Sequence, residues 1–142
     1  MTVISLEQAN AIVAAALAKG AELQLNPLSV AVLDPGGHLV TFARDDGAST
    51  MRPQIACGKA GGALALGTSS RIIATMAAER PAFVAALGGL SQHGVIPAAG
   101  GLIVTDAAGA VLGAVGVTGD TSDNDEECAM AGVVAAGLVA RI

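Results

Sequence analysis

A chain of 142 residues has the length of one domain. This one is 53% hydrophobic and 13% charged, with two Phe and neither Trp nor Tyr. Its formal net charge of -5 excludes a nucleic-acid footprint, which needs clustered cations, and argues against docking on an anionic membrane surface.

A domain of this size buries only about 70% of its unfolded-chain surface. Charge at roughly half the usual ~25% is too scarce to cover the remainder, so a homo-oligomer is expected. The first thirteen residues hold no basic run ahead of an apolar one, so no secretory leader is expected. The longest stretch without Asp, Glu, Lys or Arg, Pro81–Thr105, is interrupted by Pro97 and several glycines and does not read as a membrane span. Cys57 and Cys128 stand far apart in no metal-like spacing, which suits a reducing cytoplasm.

In chain order, Ser5 and Gln8 form a capping box. The helix behind it, with Leu6, Ala9, Val13, Ala16 and Leu17 at helical spacing, should end between Gly20 and Gln24. Leu28–Asp34 and His38–Arg44 read as strands joined by Pro35-Gly36-Gly37. Pro53–Leu66 reads as a helix, although Gly58, Gly61 and Gly62 each cost about 1 kcal/mol relative to Ala. Ser69 or Ser70 caps a short helix over Arg71–Glu79. A second follows at Ala82–Leu87, and Gly88–Ala99 is loop. A second hairpin follows, Leu102–Thr105 and Val111–Val117 around Asp106-Ala107-Ala108-Gly109. It repeats the first: Asp at the strand end, Gly three residues later. Gly113 and Gly116 leave room for another backbone or a ligand. Asp123–Ile142, apolar on most faces, reads as a buried closing helix with Ser122 as its N-cap. Helices at both ends of a sheet-forming chain imply an α+β layer fold.

Three patterns taken together resemble one family. They are Val30–Ala48, with Asp34-Pro35-Gly36-Gly37, Arg44, Asp46 and Gly47; Ile55–Ala60, with Lys59; and Gly100-Gly101 followed by Gly113–Gly119 and Asp125-Glu126. The chain resembles the GlcG/HbpS, or haem-degrading domain, family, which includes the C-terminal domain of PduO-type cobalamin adenosyltransferases. The resemblance implies a profilin-like α/β/α fold with a central antiparallel sheet of about five strands. It also implies a cytoplasmic homo-oligomer, tetramer to octamer, and a haem or other tetrapyrrole ligand. The family's recurrent polar positions fall on Arg44, Asp46, Lys59, Gly100, Gly101, Asp125 and Glu126. Two departures stand out: Ile103 where the family often carries Pro, and Gly61 and Gly62 where it often carries an aromatic and a Thr. Both are expected to widen or reshape the pocket.

The residues leave each role with two readings. Arg44 and Asp46 either line a pocket, Arg44 offering a planar fork to a carboxylate, or form a solvated pair at a strand end. Lys59, alone in an uncharged run, either binds an anion or snorkels to solvent. It is no phosphate loop, because Pro53 and Ala60 replace the required Gly and Ser/Thr. Gly100-Gly101 either presents N–H groups to a developing oxyanion or starts a strand. Asp123, Asp125 and Glu126 either complement a helix dipole or form a general base or hard-metal corner; Asp125 occupies the Gly position an EF-hand needs. His93 is the candidate haem ligand, while His38 should be exposed. Met51 and Met76 should fill core gaps, and Cys57 and Cys128 should be small buried hydrophobes. The leading expectation is a haem-binding or haem-degrading oligomer with a hollow where Arg44, Lys59 and Gly100-Gly101 meet. A second is a cofactor-free enzyme for a small carboxylate-bearing metabolite. It would use Asp46 or Glu126 to move a proton, with Arg44, Lys59 and Gly100-Gly101 on the substrate. A third is a non-catalytic sensory or structural oligomer.

Overall fold

Both hairpins are set by the same turn chemistry. In the computed structural model, which describes residues 2–142, β1 (Ser29–Leu33) and β2 (Leu39–Arg44) flank one turn, and β3 (Gly101–Thr105) and β4 (Val111–Thr118) flank the other. Asp34 Oδ1 accepts from the N–H groups of Gly36 and His38 at 2.9 and 3.0 Å. Asp106 Oδ1 accepts from those of Ala108 and Ala110, both at 2.9 Å. Each carboxylate thus builds its own turn. Gly37 and Gly109 take φ of 84° and 87°, left-handed positions that favour glycine. Each hairpin also shifts register just before its turn, at Val32/Leu33 and at Val104/Thr105.

Antiparallel pairing of β1 with β4 joins the hairpins into one five-stranded sheet of order β2-β1-β4-β3-β5. The fifth strand, β5 (Val139–Arg141), lies along β3. One face of the sheet carries α1 (Leu6–Glu22) and α5 (Ser122–Ala135), whose Ile12, Val13, Cys128, Ala129 and Val133 pack on Val30, Val32, Leu102, Val104, Val115 and Val117. The other face carries α2 (Arg52–Leu66), with Ala60 and Leu64 against Leu33 and Ala114. The short helices α3 (Ser70–Glu79) and α4 (Pro81–Leu87) follow α2. This is the α+β three-layer arrangement expected from the sequence.

The helix starts follow their caps. Ser5 and Gln8 make the reciprocal box on α1, and Ser69 accepts from Ile72 N–H on α3. Two expectations fail at α5. Its N-cap is Thr121, whose hydroxyl accepts from Asn124 N–H at 3.2 Å, rather than Ser122. The helix does not run to Ile142 but ends at Ala135. Gly137, at φ 73°, donates to Val134 O, and Leu138 N–H donates to Val133 O. That double closure is the Schellman stop. It turns Val139 into an edge strand, a state its β-branched side chain favours.

The α2 backbone rests directly on the sheet. A Cβ added to Gly116 would lie 2.0 Å from Ala56 O, and one added to Gly101 would lie 2.3 Å from Lys59 O. Gly116→Ala should therefore destabilise the protein by at least the ~1–3 kcal/mol typical of overpacking. Gly88→Ala, where the nearest atom is 3.8 Å away, should stay within about 0.5 kcal/mol of the parent. Urea denaturation of both variants reads the contrast.

Candidate functional site

Because α2 sits on glycine, Lys59 has no room to point straight down into the sheet. Its side chain runs along the sheet end instead, 3% exposed, and Nζ donates to Val117 O at 2.9 Å and to Asp125 Oδ2 at 3.0 Å. Gly100, at φ 127°, makes the passage: a Cβ there would meet Val117 O at 2.5 Å and Nζ itself at 2.9 Å. Asp125, in the first turn of α5, is also buried, and its Oδ1 accepts from Asp120 N–H at 2.9 Å. Burial pushes the Lys59 ammonium below the ordinary lysine pKa, and the Asp125 carboxylate opposes that push. An ion pair so closed to water ties α2 to α5 from opposite faces of the sheet.

This geometry corrects the expected hollow. Lys59, Gly100 and Asp125 do come together, but as a sealed junction. Gly101 does not aim its N–H at a ligand; it donates to Ser70 Oγ at 2.7 Å. Arg44 stands exposed at the outer end of β2, and the hydrogen bonds of Lys59 go to Val117 and Asp125 instead. Asp46 is exposed in the turn beyond it. Glu126 does not face Lys59 or Arg44: both its oxygens accept from Arg71 Nε, at 3.0 and 3.1 Å, and Asp123 closes on Arg71 Nη2. Arg71 is the partner that sequence reading missed. It lies more than fifty positions from either acid, and no local spacing announces such a pair.

A cavity of about 450 Å³ is lined by Arg71, Ala99, Ser122 and Asp123, and two more lie along the other side of α2. The first of these two, about 260 Å³, is lined by Pro35, Gly36, Gly37, Gly61, Leu64 and Ala65 together with Leu90–His93. A second of about 310 Å³ is lined by Pro53, Gln54, Cys57, Gln92 and His93. His93 stands in the wall they share. Its Nε2 lies 2.6 Å from Gly37 O. A carbonyl can only accept, so Nε2 carries a proton, and Nδ1 is the nitrogen not engaged by Gly37.

Gly61 and Gly62, expected to widen or reshape the pocket, reshape it. A Cβ on Gly61 would meet His93 Cβ at 2.9 Å and Cδ2 at 3.0 Å, and one on Gly62 would meet Val95 Cα at 3.3 Å. The missing side chains are replaced by the loop that carries His93.

The remaining candidates divide. His38 is exposed and bonds Asp34 at 3.2 Å, as expected. Met51 is not core filler: it is 67% exposed at the start of α2, whereas Met76 is half-buried. Cys128 is fully buried, and desolvation pushes its thiol up to about 11. Cys57 is only half-buried, against expectation, and burial raises its thiol too, so it faces the cleft protonated. Among the described residues, no helix is long and apolar enough to cross a membrane.

Comparison with known proteins places this geometry. The family model described as "Haem degrading protein HbpS-like" matches residues 4–134. The crystal structure of HbpS is similar at 30% identity, over 94% of this chain and 90% of that one, with a TM-score of 0.81. Klebsiella pneumoniae protein ORFY is similar at 26% identity, over 96% and 92%, with a TM-score of 0.85. A structure of PduOC in complex with haem has a TM-score of 0.87 at 21% identity, over 99% and 100%. No curated protein matches.

Lys59→Met, which strands the buried Asp125 carboxylate, should cost about 3–5 kcal/mol. The double variant Lys59→Met/Asp125→Asn should lose less than the sum of the two single losses. Denaturant titration of the four proteins measures the coupling, expected at about 1 kcal/mol or more.

Proposed function

The chain belongs to the family of haem-degrading HbpS-like proteins, and from that premise we propose that it binds haem in the cleft beside α2. The observation that carries the reading is His93: it lines both of two adjoining cavities, and its ring is oriented through Nε2 by Gly37 O, so that Nδ1 is the nitrogen left to coordinate. A free imidazole nitrogen is a common axial donor to haem iron. The surroundings suit a flat apolar group. Leu64, Ala65 and Leu90 are aliphatic, and the Cys57 thiol is uncharged. Grip would come from aliphatic contact and the imidazole rather than from aromatic stacking. Bound haem would supply a redox-active iron. The chain's own work is to seat the ring, present Nδ1, and keep the β1–β2 turn against the loop at 90–96.

We propose in addition that the protein is a homo-oligomer. Leu90, Met51 and Ile142 are 86%, 67% and 64% exposed, apolar surface of the kind that subunits cover. Light scattering behind size exclusion should give a mass well above the 13.7 kDa of one chain; a monomer at micromolar concentration refutes the oligomer.

Haemin titrated into the purified protein should produce a shifted Soret band that saturates near one haem per chain. His93→Ala should bind at least about tenfold more weakly, as expected for loss of an axial ligand, with an altered band. An unshifted Soret band in the parent protein removes the haem reading.

A further inference from the structure

Three polar side chains form a row across one end of the sheet. Arg44 of β2, Ser29 of β1 and Thr118 of β4 are direct register partners, so all three leave the sheet on the same face. That face is the one beneath α2. Arg52, the first residue of α2, donates from Nη1 to Thr118 Oγ1 at 2.7 Å. Two residues along, Gly116 lies under Ala56, one turn further into the helix. Ser29 is completely buried there, and its hydroxyl has no hydrogen-bond partner. A buried hydroxyl left unpaired is unfavourable, and native proteins seldom keep one without a use for it.

The arginines around it lack an acidic partner among the described residues. Arg52 Nε donates to Ser49 Oγ at 3.1 Å. Among the described residues, neither Arg52 nor Arg44 forms an ion pair, whereas Arg71 closes on Asp123 and Glu126. Of the nearby acids, Asp45 turns its Oδ2 to Leu28 N–H at 2.9 Å, and Asp46 is exposed and unpaired. The first turn of α2 contains no acidic residue and no side-chain cap, so the positive end of the helix adds to the arginines unopposed. Lys59, the other cation nearby, is committed to Asp125.

We infer that this end of the sheet is a carboxylate-binding site, in which Arg44 and Arg52 hold the anion over the first turn of α2 and the Ser29 and Thr118 hydroxyls donate from beneath. Guanidinium forks match a carboxylate in two-point geometry, and the orphaned Ser29 hydroxyl gains the acceptor it lacks. The same chemistry has two sources: a free small carboxylic acid, or a propionate of a tetrapyrrole in the cleft, whose Pro53 and Gln54 lie at this end of α2. Only the second source rests on the haem reading.

Two titrations test the site on the whole protein, one with succinate and one comparing haemin with its dimethyl ester. Succinate should raise the melting temperature of the parent protein. Arg44→Ala or Arg52→Ala should weaken its binding roughly tenfold, as loss of a charge-assisted pair does, while Arg80→Ala leaves it unchanged. Ser29→Ala should melt at or above the parent temperature yet bind succinate severalfold more weakly; a Ser29 that only packs would not separate those two readouts. If succinate is silent, haemin should bind the parent more tightly than the dimethyl ester does, and that preference should vanish in Arg52→Ala. The site is overturned if succinate and haemin binding are both indifferent to Arg44 and Arg52. Succinate binding through Arg52 without any Soret shift would refute the haem reading and leave this site standing.

Discussion

Helix α2 touches the sheet backbone to backbone at Gly101 and Gly116, and that contact governs the rest of the molecule. The carbonyls of Ala56 and Lys59 occupy the space that a Cβ at Gly116 or Gly101 would need. Interiors are packed too tightly to absorb an added methyl at such a point. With the helix this low, the Lys59 side chain can only follow the sheet end, past Gly100, to the N-terminal turn of α5 on the opposite face. Two buried charges are tolerable there because both are multiply bonded: Nζ by Val117 O and Asp125, and the carboxylate by Nζ and Asp120 N–H. The three layers are thereby locked at one corner.

A second side of the same helix carries three glycines. Gly58, Gly61 and Gly62 receive Ile96, His93 and Val95 from the loop that follows α4. This seating brings His93 to the β1–β2 turn, where Gly37 O engages Nε2 of its ring. The orientation of the imidazole thus depends on Asp34, whose carboxylate shapes the turn that presents Gly37. A glycine-rich helix is a weak helix by intrinsic propensity. Here the lost propensity is exchanged for two close contacts, one structural and one that forms the cleft.

Legibility in the sequence tracks the distance over which each interaction acts. The Ser5–Gln8 box, the Ser69 cap and the two Asp-to-Gly turns involve residues two to four apart, and each is visible in a short window. The end of α5 was misread although its signal is local. Gly137 is a stop only in combination with the bonds of Leu138 and Gly137 back to Val133 and Val134, and the apolar run through Val139 masks it. The close approach at Gly113 and Gly116 was foreseen as a need for space; that the occupant at Gly116 is the α2 backbone was not. At the candidate site, His93 was singled out as a residue, but its partner Gly37, fifty-six positions away, carries no side-chain signature at all.

By itself, the sequence determined the elements, their order, the twin turns and the shortage of charge that leaves apolar surface to be covered, because caps, periodicity and composition are properties of neighbouring residues. Only the tertiary structure decided that Lys59 is a buried tie to Asp125 rather than a ligand at a cavity mouth. It also decided that Glu126 faces Arg71, and that Arg44, Ser29 and Thr118 stand in one row. Those outcomes depend on sheet register and on the height of α2 above the strands, and both are set by long-range packing that no window of the chain contains.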